Sequence, residues 1–174
     1  MQKDPAQVIE DKRLLALYSY WASKRGGRTM PARDDIDPTE IPTLLPIVLL
    51  IDVVGIGDYR YRLAGTEIVS NFGRDITGKT FAEVLPGGAY AAYIASLVSD
   101  VMSAGRPLYS EGAFMAKGHI DRQVRRIVLP LSADGIKVDM VLAGQTVIAT
   151  NKDARGKIVL ANLPFSEGTR VFLT

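Results

Sequence analysis

The 174-residue sequence contains no cysteine and a single histidine, His119. Without cysteine the chain cannot form a disulfide, a thiolate zinc site, an iron–sulfur cluster or a thiol nucleophile, and this composition fits a reducing cytoplasm. A single histidine also argues against a histidine-based metal cluster and a catalytic triad. We therefore predict a cytoplasmic protein without a metal site.

The sequence also lacks long apolar runs and a strong charge of one sign. The longest apolar run, around residues 44–51, is far shorter than the roughly 20 residues that span a bilayer. The polar N-terminus has no apolar segment of the kind found in signal peptides. The chain has 21 Lys and Arg against 19 Asp and Glu, scattered along its length, whereas nucleic-acid binding needs a basic patch. We expect contact with neither membrane nor nucleic acid.

The apolar residues that are present follow helical spacing at the N-terminus. The spacing over residues 7–25 predicts one amphipathic helix, with apolar side chains on one side and polar side chains on the other. An irregular connector follows, in which Asp37 and Pro38 have the pattern of a short helix start. We assign residues 1–46 to this helix and connector. The apolar side of the helix consists of Leu14, Leu17, Tyr18 and Trp21.

From residue 47 onward the spacing is mostly that of strands, interrupted by helices. A hairpin, several short helices, a longer helix and a three-strand meander together predict an antiparallel sheet with the helices on one face, which is an α+β fold. We assign residues 47–149 to this domain. Residues 150–174 form a C-terminal extension, which we expect to be an extra strand or a tail packed elsewhere. The predicted strands are residues 47–54, 59–64, about 107–117, 121–132 and 136–149, and the predicted helices are residues 66–72, 81–86 and 88–104.

Residues 73–80 read GRDITGKT and satisfy the phosphate-loop pattern G-x-x-x-x-G-K-[ST]. Such a loop works between a buried strand and the start of a helix. Here the preceding residues predict a helix, and an antiparallel sheet offers no later parallel strand for a magnesium-binding carboxylate. We interpret the segment as a turn, in which Gly73 ends a helix, Gly78 relieves a tight bend and Lys79 is solvated. A nucleotide-binding enzyme that uses Gly73–Thr80 stays as an alternative.

Four motifs together resemble those of PAS domains, and more closely a single-domain PAS-like family common in alphaproteobacteria. They are Trp21 in the first helix, P-x-R-x-D-I-D-P at residues 31–38, R-L-A-G-T at residues 62–66, and G-x-x-x-T-G-K at residues 73–79. The resemblance covers about residues 10–148. It implies a five-stranded antiparallel sheet with short helices across one face, an N-terminal helix and a small cavity. It also implies a bacterial sensor that binds a ligand or a partner protein and dimerises through a flanking helix.

The predicted inward-facing positions are candidates for a ligand pocket, although the same spacing is typical of an ordinary core. Arg62, Thr66 and Tyr93 could supply polar groups, but the alternation of Arg62 with its neighbours favours the surface. Both interpretations stay open. The candidate lining residues are Tyr61, Leu63, Ile68, Phe72, Phe81, Tyr93, Leu97, Phe114 and Met140.

No cofactor is assigned from the sequence. We do not expect haem, because it needs an axial ligand and the only imidazole, His119, lies in a predicted hairpin where we expect exposure. A flavin attached through cysteine is excluded because the chain has none. We predict no catalytic residue either, since the adjacent carboxylates Asp34 and Asp35 point apart and imply no cleft.

The N-terminal helix has two interpretations that the sequence does not separate. Leu14, Tyr18 and Trp21 either pack on the chain's own sheet or form a dimer interface, where large aromatic residues are favoured. The function expected from these observations is a non-catalytic sensory or regulatory module, a homodimer that signals to a partner such as a histidine kinase. A ligand-free protein-interaction module is the main alternative.

Overall fold

The computed structural model describes residues 4–85, 87–116, 119–149 and 164–174. Within these ranges no helix combines the length and apolarity that a membrane span requires. The α-helices are α1 Pro5–Val8, α2 Lys12–Ser23, α3 Thr66–Phe72, α4 Phe81–Val84 and α5 Gly88–Ala104, with single 3-10 turns at Arg33–Asp35, Pro38–Glu40 and Leu45–Ile47. The strands are β1 Val48–Gly55, β2 Asp58–Ala64, β3 Leu108–Ala116, β4 His119–Leu131, β5 Met140–Ala149 and β6 Phe165–Phe172.

The strands form one antiparallel sheet in the order β2-β1-β5-β4-β3-β6. The first five strands in this order are those that the sequence predicts. β6 pairs with β3 at the sheet edge, from Leu108 opposite Phe172 to Phe114 opposite Phe165. The end of the chain is therefore a sixth strand, which was one of the two predicted possibilities. The predicted turn at residues 117–118 and the start of the C-terminal extension lie outside the described residues.

The helix α2 packs directly on the chain's own sheet. Leu14, Leu17 and Trp21 are fully buried, and the Trp21 Nε1–H donates a hydrogen bond of 2.9 Å to the Pro130 carbonyl oxygen of β4. A Cβ atom placed on Gly144 of β5 would lie 2.7 Å from Leu17 and 3.0 Å from Leu14. The absence of a side chain at this glycine therefore allows the helix to touch the strand.

The sheet is the middle layer of three. Side chains alternate between the two faces of a strand, so Ala143 and Gln145 point away from the α2 side that Gly144 faces. They point instead toward the layer formed by α3, α4 and α5, whose side chains share a cavity with them. The short helices thus share one face of the sheet, as predicted, and α2 covers the other face. The α2 side of the sheet is apolar as well, with Ile127 lying beside Gly144, and burying it requires a second cover.

The GRDITGKT segment is a turn between two short helices. Gly73 follows α3 in the left-handed conformation, with φ of 69°, and the Gly78 N–H donates a hydrogen bond of 2.6 Å to the Tyr61 carbonyl oxygen. Thr80 begins α4 with a reciprocal cap, in which its hydroxyl accepts from the Glu83 N–H and the Glu83 carboxylate accepts from the Thr80 N–H. The strand that a phosphate loop requires does not precede this segment.

Candidate functional site

A cavity of about 40 Å³ lies between the sheet and the helices α3, α4 and α5. One water molecule needs roughly 10–15 Å³ on the same measure, so this space suits a few waters or a ligand of very few heavy atoms. It is much smaller than the roughly 300 Å³ of typical drug-sized pockets. Its walls are mostly apolar and include Leu49, Ile51, Phe81, Leu97, Val98 and Val128.

The charged group in the cavity wall is the guanidinium of Arg126, which is 5% exposed. Its Nε donates to the Gln145 Oε1 and its Nη2 to the Tyr90 hydroxyl, each at 2.8 Å. Nη1 is buried and has no hydrogen-bond partner among the residues that the structure describes. Both recorded partners are neutral, so the hydrogen bonds do not supply a counter-charge for this buried cation, and burial without one is costly.

The strand geometry of β4 explains why one arginine is buried here. Arg125 and Arg126 are neighbours in the strand, so their side chains point to opposite faces. Arg125 lies on the α2 side, where its guanidinium pairs with Glu10 at 2.8 Å and Glu111 at 3.2 Å. Arg126 points to the cavity side, and the ion pairs found among the described residues do not include it.

Two tyrosines place hydroxyl groups near Arg126. Burial raises the pKa of Tyr61, and the neighbouring Tyr90 raises it further, while the positive charge of Arg126 acts in the opposite direction. Burial also raises the pKa of Tyr90, against the same opposing charge. Both phenols therefore stay protonated at neutral pH. The Tyr61 ring is held by stacking on Phe81, with ring centroids 4.6 Å apart.

An aromatic cluster connects the cavity to the C-terminal strand. Phe165 of β6 packs against Tyr90, Tyr93 and Phe114, with ring centroids 5.0, 4.6 and 5.2 Å apart respectively. Tyr90 belongs to both this cluster and the cavity wall. The strand β6 is thus in contact with the helix that closes the cavity.

The comparisons with known proteins agree with this architecture. A family model described as "PAS domain" matches residues 9–145, which extend from just before α2 into β5. The chain belongs to the PAS domain family. PAS domains are sensory and regulatory modules, and β6 lies beyond the matched residues.

Two further comparisons do not extend the family assignment. No curated protein matches the chain. Among solved structures, the chain is similar to the PAS domain from Bordetella pertussis BvgS, at 19% sequence identity and a TM-score of 0.49, over 66% of this chain and 85% of that one.

The structure brings four of the predicted pocket residues of this PAS domain to the cavity. Tyr61, Phe72, Phe81 and Leu97 lie in its wall. Phe114 lines a smaller adjoining space that shares Tyr90, Arg126 and Gln145 with the main cavity. These residues come from different strands and helices, so only the folded chain brings them together.

Four other predicted pocket residues lie elsewhere. Ile68 is fully buried in α3, and Tyr93 is buried with its hydroxyl hydrogen-bonded to Ser110, but neither reaches the main cavity. Met140 points to the opposite face of the sheet, since it lies three positions before Ala143 in β5. Leu63 is 37% exposed and also faces away.

A β-bulge in β2 displaces Leu63. Leu50 pairs with Leu63, but the next residue, Ile51, pairs with Tyr61, so Arg62 is an extra residue in the strand. Such an insertion reverses the facing of every residue beyond it. The strict alternation read from the sequence was therefore wrong at Leu63. Arg62 itself is exposed and lies 3.4 Å from the Asp52 carboxylate.

Sequence reasoning missed Tyr90, Arg126 and Gln145, three of the four polar members of the cavity wall. One signal was available for the arginine. Two adjacent arginines in a predicted strand must point to opposite faces, and a sheet covered by helices on both faces then buries at least one of them. Seeing this required knowing that α2 covers the second face.

The residues proposed for a dimer interface are buried within the chain. Leu14, Tyr18 and Trp21 are 0%, 9% and 0% exposed, and the Tyr18 hydroxyl donates to the Thr174 carbonyl oxygen. Of the two interpretations of this helix, the structure shows packing on the chain's own sheet. A dimer contact through these three side chains would require α2 to leave the sheet.

Metal ligands do not cluster in the part of the chain that the structure describes, where no group of three or more His, Asp or Glu side chains could hold an ion. The predicted exposure of the His119 side chain lies outside the described residues. Of the two adjacent carboxylates Asp34 and Asp35, the second takes a structural role. The Asp35 carboxylate accepts from the Ala32 N–H at 2.7 Å and pairs with Arg28 at 2.6 Å.

Proposed function

We propose that this PAS domain is a non-catalytic sensory or regulatory module that binds a small ligand between its sheet and α3–α5. The observation that carries the proposal is a cavity with apolar walls into which a few polar side chains converge. Arg126, Tyr61, Tyr90 and Gln145 supply these groups. This composition is typical of ligand sites.

Ligand binding would act by shifting the population of helix arrangements. The helix α5 contributes much of the cavity wall, and Arg170 of β6 holds it through Asp100 at 2.7 Å and Ser96 at 3.0 Å. A ligand that contacts one arrangement better than another favours that arrangement. We infer that the change reaches a signalling partner, such as a histidine kinase, and that the domain works as a homodimer.

The small volume of the cavity favours a second candidate, a ligand-free interaction module. A space of about 40 Å³ can be filled by water alone. In that case the domain would bind its partner constitutively, and its core would serve only stability.

Native mass spectrometry of gently purified protein tests the proposal. Ala143→Leu fills the cavity from the sheet side, and Ala92→Leu on the exposed side of α5 is the matched control. We expect a small-molecule adduct on the native chain and on Ala92→Leu, but not on Ala143→Leu. Absence of an adduct from all three would support the ligand-free module. A nucleoside phosphate lost in Lys79→Ala would instead support the phosphate-loop alternative.

A further inference from the structure

We propose that the cavity of this domain binds a short-chain monocarboxylate, whose carboxylate group pairs with the Nη1 of Arg126. The inference rests on the proposed function and names the chemical class of its ligand. Nothing in the family membership specifies this class. It follows from the charge, the donors and the shape of this cavity.

The first argument is the buried charge. The Arg126 guanidinium is 5% exposed and its recorded partners, the Tyr90 hydroxyl and the Gln145 amide, are both neutral. Its Nη1 is a buried donor without a protein acceptor in the described ranges. A ligand that supplied a negative charge and an acceptor at this atom would compensate both the buried charge and the unsatisfied donor.

The second argument is the number of donors. Besides Nη1, the cavity wall contains Tyr61, whose hydroxyl can donate because burial keeps it protonated. The Tyr90 hydroxyl accepts from the Arg126 Nη2 and keeps its own proton for donation. These donors surround a guanidinium, whose planar geometry suits a carboxylate. A sulfate or phosphate dianion would bring a second negative charge, whereas Arg126 is the one cation among the described lining residues.

The third argument is the apolar remainder of the wall. Leu49, Ile51, Leu97, Val98 and Val128 surround the rest of the space, which favours a hydrocarbon tail over a second polar group. The volume of about 40 Å³ limits that tail to a few carbons unless the helices move apart. Acetate, propionate and butyrate are therefore the appropriate probes.

The test compares each acid with its neutral amide. Sodium acetate, propionate and butyrate, and the amides acetamide, propionamide and butyramide, are titrated into the native chain at constant ionic strength, with binding followed by NMR of the side-chain Nε–H of Arg126. We expect at least one acid to bind about tenfold or more tightly than its amide, as loss of a charged hydrogen bond implies. Sodium chloride serves as the competitor for a general anion site.

Substitutions at Arg126 then locate the effect, with binding followed by ligand-observed NMR. Arg126→Met, close in size and uncharged, should abolish the preference for the acid. Arg126→Lys keeps the charge without the planar fork and should weaken it, which covers the case in which the methionine variant fails to fold. Arg125→Met is the matched control, because Arg125 faces the α2 side and pairs with Glu10 and Glu111. It should retain the preference of the native chain.

Each contrary outcome identifies what fails. Equal binding of acid and amide, lost in Ala143→Leu, would overturn the carboxylate assignment while leaving a ligand-binding cavity. Chloride competing as strongly as propionate would overturn it in favour of a general anion site. No binding of any probe would also overturn it, and the adduct experiment would then decide separately whether the proposed function stands.

Discussion

Replacing Trp21 with phenylalanine tests whether α2 belongs to this chain's own core. The indole is fully buried and its Nε1–H donates to the Pro130 carbonyl oxygen at 2.9 Å. Losing this hydrogen bond costs about 1 kcal/mol. Phenylalanine also removes about three buried heavy atoms, each worth about 0.8 kcal/mol by the value for a buried methylene. We expect the free energy of unfolding to fall by about 3 kcal/mol.

The assay is urea unfolding followed by far-ultraviolet circular dichroism at two widely separated protein concentrations. If Trp21 packs within the chain, the loss is the same at both concentrations, since only a contact between chains follows mass action. Ser19→Ala, on the exposed side of the same helix, is the control and should change stability by less than about 0.5 kcal/mol. Because Trp21 is the only tryptophan, its fluorescence in the native chain reports independently on the release of α2. A loss of stability that depends on dilution, or no loss at all, would refute the packing described here.

Three further predictions follow from close contacts and burial. Gly65→Ala should lower the free energy of unfolding by about 3 kcal/mol or more, because a Cβ there would lie 2.1 Å from a backbone carbonyl oxygen. The control Gly55→Ala, with its nearest contact at 3.9 Å, should match the native chain in urea unfolding. Equal stability of the two variants would contradict the argument. Gly112→Ala should push the Phe165 ring out of the aromatic cluster, since the new Cβ would lie 2.3 Å from that ring. Amide hydrogen exchange should then become faster in β6. Unchanged exchange rates would show that the ring does not anchor the strand. Burial raises the pKa of Tyr61 above its unfolded value of about 10, so the stability that comes from this shift is complete below about pH 10 and is lost as the pH rises further. The urea midpoint of Tyr61→Phe should therefore fall less on alkaline titration than that of the native chain. Parallel curves would show that ionisation of Tyr61 does not cause the loss.

The fold was largely predictable because its signals are local. The helical spacing of residues 7–25 and the strand spacing after residue 47 each require only neighbouring positions. The R-L-A-G-T motif is short in the sequence, although its physical reason is a tertiary contact: Gly65 lies against the backbone carbonyl oxygens of Leu45 and Pro46, where no side chain fits. These patterns were sufficient for the α+β class and for the PAS resemblance.

The layer arrangement was less predictable because it depends on which face each strand presents. The bulge at Arg62 reverses the facing of Leu63, and nothing in the alternating sequence YRYRLA marks an inserted residue. The position of α2 depends on Gly144, where a missing side chain admits Leu14 and Leu17. A glycine inside a strand signals a close approach, but the sequence does not say which element approaches.

The candidate site was the least predictable part, because its buried charge depends on how the helices cover the two faces of the sheet. Arg125 and Arg126 are the same residue type at consecutive positions, and their environments differ only because different helices pack on the two faces of the sheet. On the α2 side, Glu10 and Glu111 supply carboxylates to Arg125. On the cavity side, the recorded partners of Arg126 are a tyrosine hydroxyl and a glutamine amide. A core position with only stability to provide would be occupied at lower cost by an apolar residue of similar size. The rings of Tyr90 and Tyr93, with centroids 5.8 and 5.9 Å from this guanidinium, compensate part of its burial. The carboxylate ligand that we propose would supply the counter-charge that these contacts do not.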